Sequence, residues 1–122
     1  MLNNSFYQVI DTQVIEGGIT VIVGFNAQHA IFGGHFPGQP VVPGVCILQI
    51  IKEQLTAQTK QSILLKEAAQ VKYLNMITPA TVPAATITIL YQSQEPQQIT
   101  VTATVIAEAT TYCKARLLFG IV

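Results

Sequence analysis

Residues 33–49 read GGHFPGQPVVPGVCILQ, and this stretch organises the rest of the chain. Its first half is rich in glycine and proline, which predicts an irregular loop that begins upstream and runs over residues 26–42. Pro43 has a fixed φ that suits a first helical residue, so we expect a helix to begin there. Residues 45–51 are apolar apart from Gln49. This pattern predicts a helix that is buried near its start and reaches the surface towards Thr59.

Strand patterns lie on both sides of this helix. Residues 5–15 and 19–25 are rich in strand formers and are separated by a Glu-Gly-Gly turn, which predicts a hairpin. Residues 62–77 are ambiguous, because Lys66-Glu67-Ala68-Ala69 favours a helix. Three later segments alternate as strands do: residues 86–91, 99–107 and 111–122. The sequence therefore predicts an α+β fold, an antiparallel β-sheet wrapped around one central α-helix, as a single domain over residues 1–122.

The composition narrows the classes of function. Only 10% of the residues are charged, against roughly 25% in an average globular chain, so we expect a subunit interface that covers apolar surface. The net charge is zero and there is no basic run, which argues against nucleic-acid binding. No apolar run approaches the roughly 20 residues that cross a bilayer. Cys46 and Cys113 have no motif spacing, so we expect reduced, buried cysteines in a cytoplasmic protein without metal or cofactor.

The run of residues 34–45 resembles the signature of the 3-hydroxyacyl-[acyl-carrier-protein] dehydratases, which are hot-dog-fold enzymes of fatty-acid synthesis. A histidine, three prolines and three glycines are in register, and Asn26, nine residues before His35, also fits the pattern. The resemblance implies a hot-dog fold and an acyl carrier protein as partner. It also implies sites that lie between two subunits, in a homodimer, an assembly of such dimers, or a heterodimer with a related subunit.

The resemblance implies roles for several residues of this run. His35 would be the base, and a histidine with a pKa near neutrality suits the removal of an α-proton. The Gly44 N–H would polarise the thioester carbonyl, since free amides at a helix N-terminus favour negative charge. Phe36, Pro43 and Val45 complete the expected substrate-binding set with Gly44. The prolines would hold His35 in place before the substrate arrives.

Gln49 is the main departure from the family pattern. There a carboxylate from the other subunit helps to expel the β-hydroxyl, and an amide cannot donate a proton as an acid does. An unpaired buried amide costs about 1–3 kcal/mol, so Gln49 needs a site water, His35 of the partner subunit or a core neighbour. A structural role is as open as a catalytic one. Glu53 lies one turn further along the same helix face and could supply the missing carboxylate. Because the sequence turns amphipathic there, we expect Glu53 instead to be a solvated surface charge. We expect His29 to be a loop residue.

Three functions remain open from the sequence. The first is an acyl-thioester dehydratase that converts a (3R)-hydroxyacyl chain on acyl carrier protein to the trans-2-enoyl thioester. The second is a non-catalytic or half-catalytic hot-dog subunit that depends on an acid-bearing partner, which Gln49 motivates. The third is a hot-dog thioesterase in which Gln49 orients water, although the proline-rich histidine loop speaks against it. The basic residues are too scattered along the chain to define a carrier-docking patch from sequence.

Overall fold

The computed structural model describes residues 2–34 and 40–122. Its elements, in chain order, are β1 (Tyr7–Ile15), β2 (Gly18–Phe25), α1 (Ala30–Gly34), α2 (Gly44–Thr59), β3 (Ile63–Tyr73), β4 (Ala84–Gln94), β5 (Gln98–Ala107) and β6 (Thr110–Ile121). The six strands form one antiparallel sheet in the order β1-β2-β4-β5-β6-β3. The predicted α+β arrangement, one sheet with one long helix, is therefore confirmed.

The core lies between the sheet and α2. Alternate residues of β5 and β6 are buried, from Ile99 to Val105 and from Cys113 to Phe119, so one face of each strand meets the helix. The helix contributes Ile50, Ile51 and Leu55, all fully buried. The predicted alternation is thus confirmed. The helix α2 is buried through Leu55 and becomes more exposed towards Thr59, as predicted.

The hairpin of β1 and β2 is confirmed, but the loop after it is not wholly irregular as expected. Residues 30–34 form the short helix α1. His29 starts this helix, because its Nδ1 accepts the Ile31 amide (3.1 Å) and its carbonyl accepts the Phe32 amide (3.1 Å). The His29 ring also packs edge-on against Phe6, with centroids 5.4 Å apart. His29 therefore lies in the loop, as expected, and caps the start of α1.

The ambiguous segment 62–77 forms the edge strand β3. Pairing with β6 overrides the helical propensity of residues 66–69, since propensity is a weak preference against a full ladder of hydrogen bonds. The ladder slips between Leu65 and Glu67 and again between Ala68 and Gln70. These bulges break the alternation along the strand, which explains why the sequence pattern looked mixed.

Candidate active site

The site is built around the N-terminus of α2. Pro43 is extended (φ −64°, ψ 145°) and caps the helix, so the helix begins one residue later than predicted. The Pro43 carbonyl accepts the amides of Cys46 (3.0 Å) and Ile47 (3.3 Å). Within residues 2–34 and 40–122, the amides of Gly44 and Val45 meet no backbone acceptor. Two donors at the positive end of the helix dipole are thus placed to bind an electron-rich oxygen.

Tyr73, which the sequence analysis did not single out, packs over Gly44. A Cβ added at Gly44 would lie 2.5 Å from Cζ of Tyr73 and 2.7 Å from its hydroxyl oxygen, so a side chain at residue 44 would displace this ring. Burial raises the pKa of the Tyr73 phenol, and the neighbouring Cys113 raises it further, so the hydroxyl stays protonated near neutral pH. The ring lines a hollow of about 190 Å³ together with Pro43 and Gly44.

Gln49 lies one turn along α2 and is half-buried. It lines a cleft of about 280 Å³ whose other walls include Val45, Leu65 and Phe119. Its Nε2 donates to Oε2 of Glu53 at 2.9 Å. The polar partner that the sequence analysis required is therefore a carboxylate on the same helix, at the i, i+4 spacing.

Glu53 is buried, with only 5% of its surface exposed, so the expectation of a solvated surface charge is wrong. Besides Gln49, its carboxylate accepts the Leu2 amide (2.7 Å), the Asn3 amide (2.8 Å) and the Tyr7 hydroxyl (2.9 Å). Burial alone would raise the pKa of Glu53. The hydrogen bonds outweigh burial and lower its pKa, so this carboxylate is ionised near neutral pH.

The hydrogen bonds around Glu53 extend to the next residue of α2, Gln54. Nε2 of Gln54 donates to the Tyr7 hydroxyl at 3.0 Å, and that hydroxyl donates in turn to Glu53. Tyr7 is fully buried, and burial raises its pKa. We call Glu53, Gln49, Tyr7, Gln54 and the two N-terminal amides the Glu53 network. It joins the first residues of the chain to the helix that carries Gln49.

His35 and Phe36 belong to residues 35–39, outside the part of the chain that the structure describes. The segment that follows them is attached to the fold, because the Val42 amide donates to the Ile77 carbonyl at 2.8 Å. Upstream, Nδ2 of Asn26 donates to the Ser5 carbonyl (2.8 Å) and its Oδ1 accepts the Gln28 amide (3.0 Å). Asn26 thus fixes the turn that leads into α1.

Four of the six lysines and arginines lie on one face of β3 and β6. Lys72 and Lys114 are directly opposite in the ladder, and Arg116 follows two residues later on the same face. Lys66 joins them, since a Cβ at Gly120 would lie 2.5 Å from its Cε. Residues that are scattered in the sequence therefore form one exposed surface, which we call the basic strip.

The described residues hold no group of three or more histidine, cysteine or acidic side chains that could bind a metal ion. Cys46 and Cys113 are free and buried, as predicted. Burial raises the pKa of Cys113 to about 11. No helix within residues 2–34 and 40–122 has both the length and the apolar character needed to cross a membrane.

Comparison with known proteins places this geometry in a family. The 3-hydroxyacyl-[acyl-carrier-protein] dehydratase FabZ of Rhizorhabdus wittichii is 28% identical over 68 residues, which cover 56% of this chain and 43% of that protein. The chain thus matches less than half of the length of this curated relative. Residues 11–115 match the model of the ApeI-like family, described as ApeI dehydratase.

Solved structures share the fold at low identity. One is the dehydratase heterocomplex ApeI:P from Xenorhabdus doucetiae, with a TM-score of 0.64, 18% identity, and coverage of 92% of this chain and 96% of that one. Another is a hypothetical thioesterase with coenzyme A from Streptococcus pneumoniae, with a TM-score of 0.64, 12% identity, and coverage of 95% and 85%. Together with the family match over residues 11–115, the hot-dog sheet and helix show that the chain belongs to the ApeI-like dehydratase family.

Proposed function

We propose that this protein removes water from a (3R)-hydroxyacyl thioester on acyl carrier protein to give the trans-2-enoyl thioester. The observation that carries the proposal is the pair of amides of Gly44 and Val45 at the start of α2, nine and ten residues after His35 in the sequence. A thioester oxygen bound there would be stabilised as negative charge develops on it. Gln49 lies one turn along the same helix and faces the adjoining cleft.

In the proposed reaction, neutral His35 takes the α-proton and the thioester becomes enolate-like, with its oxygen held by the Gly44 amide. The imidazolium then returns the proton to the β-hydroxyl oxygen. The Cβ–O bond breaks, water leaves, and His35 is neutral again. Gln49 does not supply the proton; it holds the hydroxyl in place by a hydrogen bond. Phe36, Pro43 and Val45 contribute apolar contacts to the acyl thioester.

The direct test is incubation of the protein with a 3-hydroxyacyl carrier protein and detection of the enoyl product by mass spectrometry. The His35→Ala variant is the control, and we expect it to lose nearly all turnover. Release of free carrier thiol without enoyl product would instead identify a thioesterase. A folded protein that gives neither product alone or with a related hot-dog subunit would refute the dehydratase proposal.

A second candidate is a half-catalytic subunit that requires an acid-bearing partner. It is favoured by one observation: the only carboxylate that contacts Gln49 among the described residues is Glu53, whose oxygens are already occupied. The Gln49→Glu variant distinguishes the two candidates. A large gain in turnover by the lone protein would favour the half-catalytic subunit, whereas unchanged or lower turnover would favour the single-protein dehydratase.

The proposed assembly is a dimer through the edge strand β3. Several large apolar side chains at this edge and at the start of α2 are exposed, among them Val45 (75%), Met76 (71%) and Leu64 (53%). Such a surface, beside an unpaired strand edge, fits a second hot-dog subunit. It borders the cleft of Gln49, which agrees with a site shared between subunits. The partner is a second copy or a related chain.

A further inference from the structure

We infer that Glu53 is a positioning residue for Gln49: it accepts Nε2 of Gln49 and thereby leaves Oε1 as a fixed hydrogen-bond acceptor in the candidate site. The orientation of the Gln49 amide follows from the contacts alone. The catalytic part of the inference rests on the proposed dehydratase function.

The chemistry of the contact leaves one orientation of the Gln49 amide. An ionised carboxylate only accepts hydrogen bonds, so the group that Gln49 turns towards Glu53 at 2.9 Å must be its NH₂. The carboxylate cannot turn away, because Leu2 shares Oε2 with Gln49, while Asn3 and Tyr7 occupy Oε1. Two of these donors are backbone N–H groups, which can only donate a hydrogen bond and therefore require an acceptor at Glu53.

The same contacts exclude Glu53 as a proton donor to the β-hydroxyl, a role that the Gln49 amide cannot fill either. Four donors surround its oxygens, and a proton on either oxygen would displace one of them. The lowered pKa of Glu53 agrees with this reading. Glu53 therefore acts on the reaction through Gln49. In the proposed reaction, the substrate hydroxyl donates to Oε1 of Gln49, which holds the hydroxyl in the cleft while it is protonated.

The Glu53→Gln variant tests the inference, with Tyr7→Phe as a matched control. Glu53→Gln gives residue 53 an NH₂ that can donate to Gln49, so the Gln49 amide is free to turn over. Tyr7→Phe removes another hydrogen bond of the same carboxylate but leaves the contact with Gln49 intact. We expect kcat to fall about tenfold in Glu53→Gln with little change in KM, and by less than about threefold in Tyr7→Phe.

A spectroscopic measurement decides the orientation without any turnover. In the ¹⁵N-labelled wild-type protein, we expect one Nε2 proton of Gln49 to be shifted downfield and protected from exchange, with assignment by the Gln49→Met spectrum. This signature should persist in Tyr7→Phe and vanish in Glu53→Gln. If the Nε2 protons of Gln49 in the wild type have the chemical shifts and exchange rates of a solvent-exposed amide, the inference is overturned, whether or not the variant folds.

The kinetic outcomes are equally decisive. Equal losses of kcat in Glu53→Gln and Tyr7→Phe, at equal losses of thermal stability, would reduce Glu53 to a structural residue and overturn the positioning role. A Glu53→Gln protein with the kcat of the wild type would do the same. If the wild type has no dehydratase activity but keeps the protected Gln49 amide, the proposed function fails and the orientation of Gln49 stands.

Discussion

The carboxylate of Glu53 accepts hydrogen bonds from residues that are far apart in the sequence. Leu2, Asn3 and Tyr7 come from the first residues of the chain, and Gln49 comes from the preceding turn of α2. Each hydrogen bond to a charged group contributes about 1.5–3 kcal/mol. Because the carboxylate is almost fully buried, these bonds also set how the stability of the fold depends on pH.

The lowered pKa of Glu53 predicts a loss of stability in acid. Above the ordinary value of 4.5, the group is ionised in both folded and unfolded chains. Below it, the unfolded chain takes up the proton first, so the contribution of Glu53 falls as the pH drops towards the lower folded pKa. We expect wild type to exceed Glu53→Gln by about 2 kcal/mol in unfolding free energy at neutral pH.

Thermal unfolding followed by circular dichroism between pH 7 and pH 3 checks this prediction. The difference in Tm between wild type and Glu53→Gln should shrink below about pH 4.5. A difference that stays constant over the whole range would contradict it. The Tyr7→Phe variant keeps the carboxylate, so its own unfolding free energy should still fall with pH in that window.

The need for a polar contact at Gln49 was predictable from the sequence, but its partner Glu53 was not. A single amide in an apolar run of helix requires a polar contact, and this follows from residue type alone. The burial of Glu53 does not follow from residue type, because its donors Leu2 and Asn3 lie 51 and 50 residues away in the chain. A glutamate next to Lys52 and Gln54 has the local pattern of a surface position. Only the fold brings the N-terminal amides over it.

At the scale of elements, the start of α2 packs against the end of β3. The Tyr73 ring occupies the space where a side chain at residue 44 would lie. The glycine and the helix start were predictable from the sequence, whereas the tyrosine was not, because the bulges of β3 hide which face each residue takes. Strands with regular alternation, such as β5, were predictable from the sequence.

Gly44→Ala should affect function more than stability. The added Cβ would meet the tip of Tyr73, and that ring is half exposed and can swing aside. We expect the unfolding free energy to change by less than about 1 kcal/mol, since alanine also favours the helix over glycine. Turnover should fall by about tenfold or more, because the methyl group blocks the approach of a carbonyl to the helix amides.

Chemical denaturation and steady-state kinetics measure the two effects of Gly44→Ala separately. The Gly44→Ala/Tyr73→Ala double variant is the control, because it removes the ring but keeps the methyl group. If the double variant recovers full turnover, the loss arises from the displaced ring and not from blocked access to the amides.

For the whole molecule, the two edges of the sheet differ. At the β3 edge, exposed apolar side chains border the cleft of Gln49. The β1 edge also exposes apolar residues, including Val14 at 74%, but lies at the far end of the sheet. We expect Leu64→Glu to convert the assembly to monomers and abolish turnover, since it places a charge in the proposed interface.

Val14→Glu is the matched control for Leu64→Glu, and it should leave both assembly and turnover unchanged. Analytical ultracentrifugation gives the oligomeric state of each variant. A Leu64→Glu protein that remains dimeric would contradict an interface at β3. A Val14→Glu protein that becomes monomeric would place the interface at the β1 edge.

The basic strip supports a prediction about the carrier protein, an acidic partner in the proposed function. Lys114→Glu should raise KM for a 3-hydroxyacyl carrier protein several-fold and leave KM for the corresponding pantetheine thioester unchanged, because only the carrier would contact the strip. Loss of folding cannot mimic this effect, because a misfolded protein would lose activity towards both substrates. The new glutamate lies opposite Lys72 in the β3–β6 ladder and replaces a repulsion by an attraction of about 0.2–1 kcal/mol.

Lys60→Glu, at the end of α2, makes the same charge change away from the strip and should leave both KM values unchanged. The wild-type KM for the carrier substrate should also rise with ionic strength, and this dependence should weaken in Lys114→Glu, since salt screens exposed charges. Equal effects of the two substitutions would mean that net charge, not the strip, governs binding. An effect of Lys114→Glu on the pantetheine thioester would place the strip within reach of the acyl chain itself.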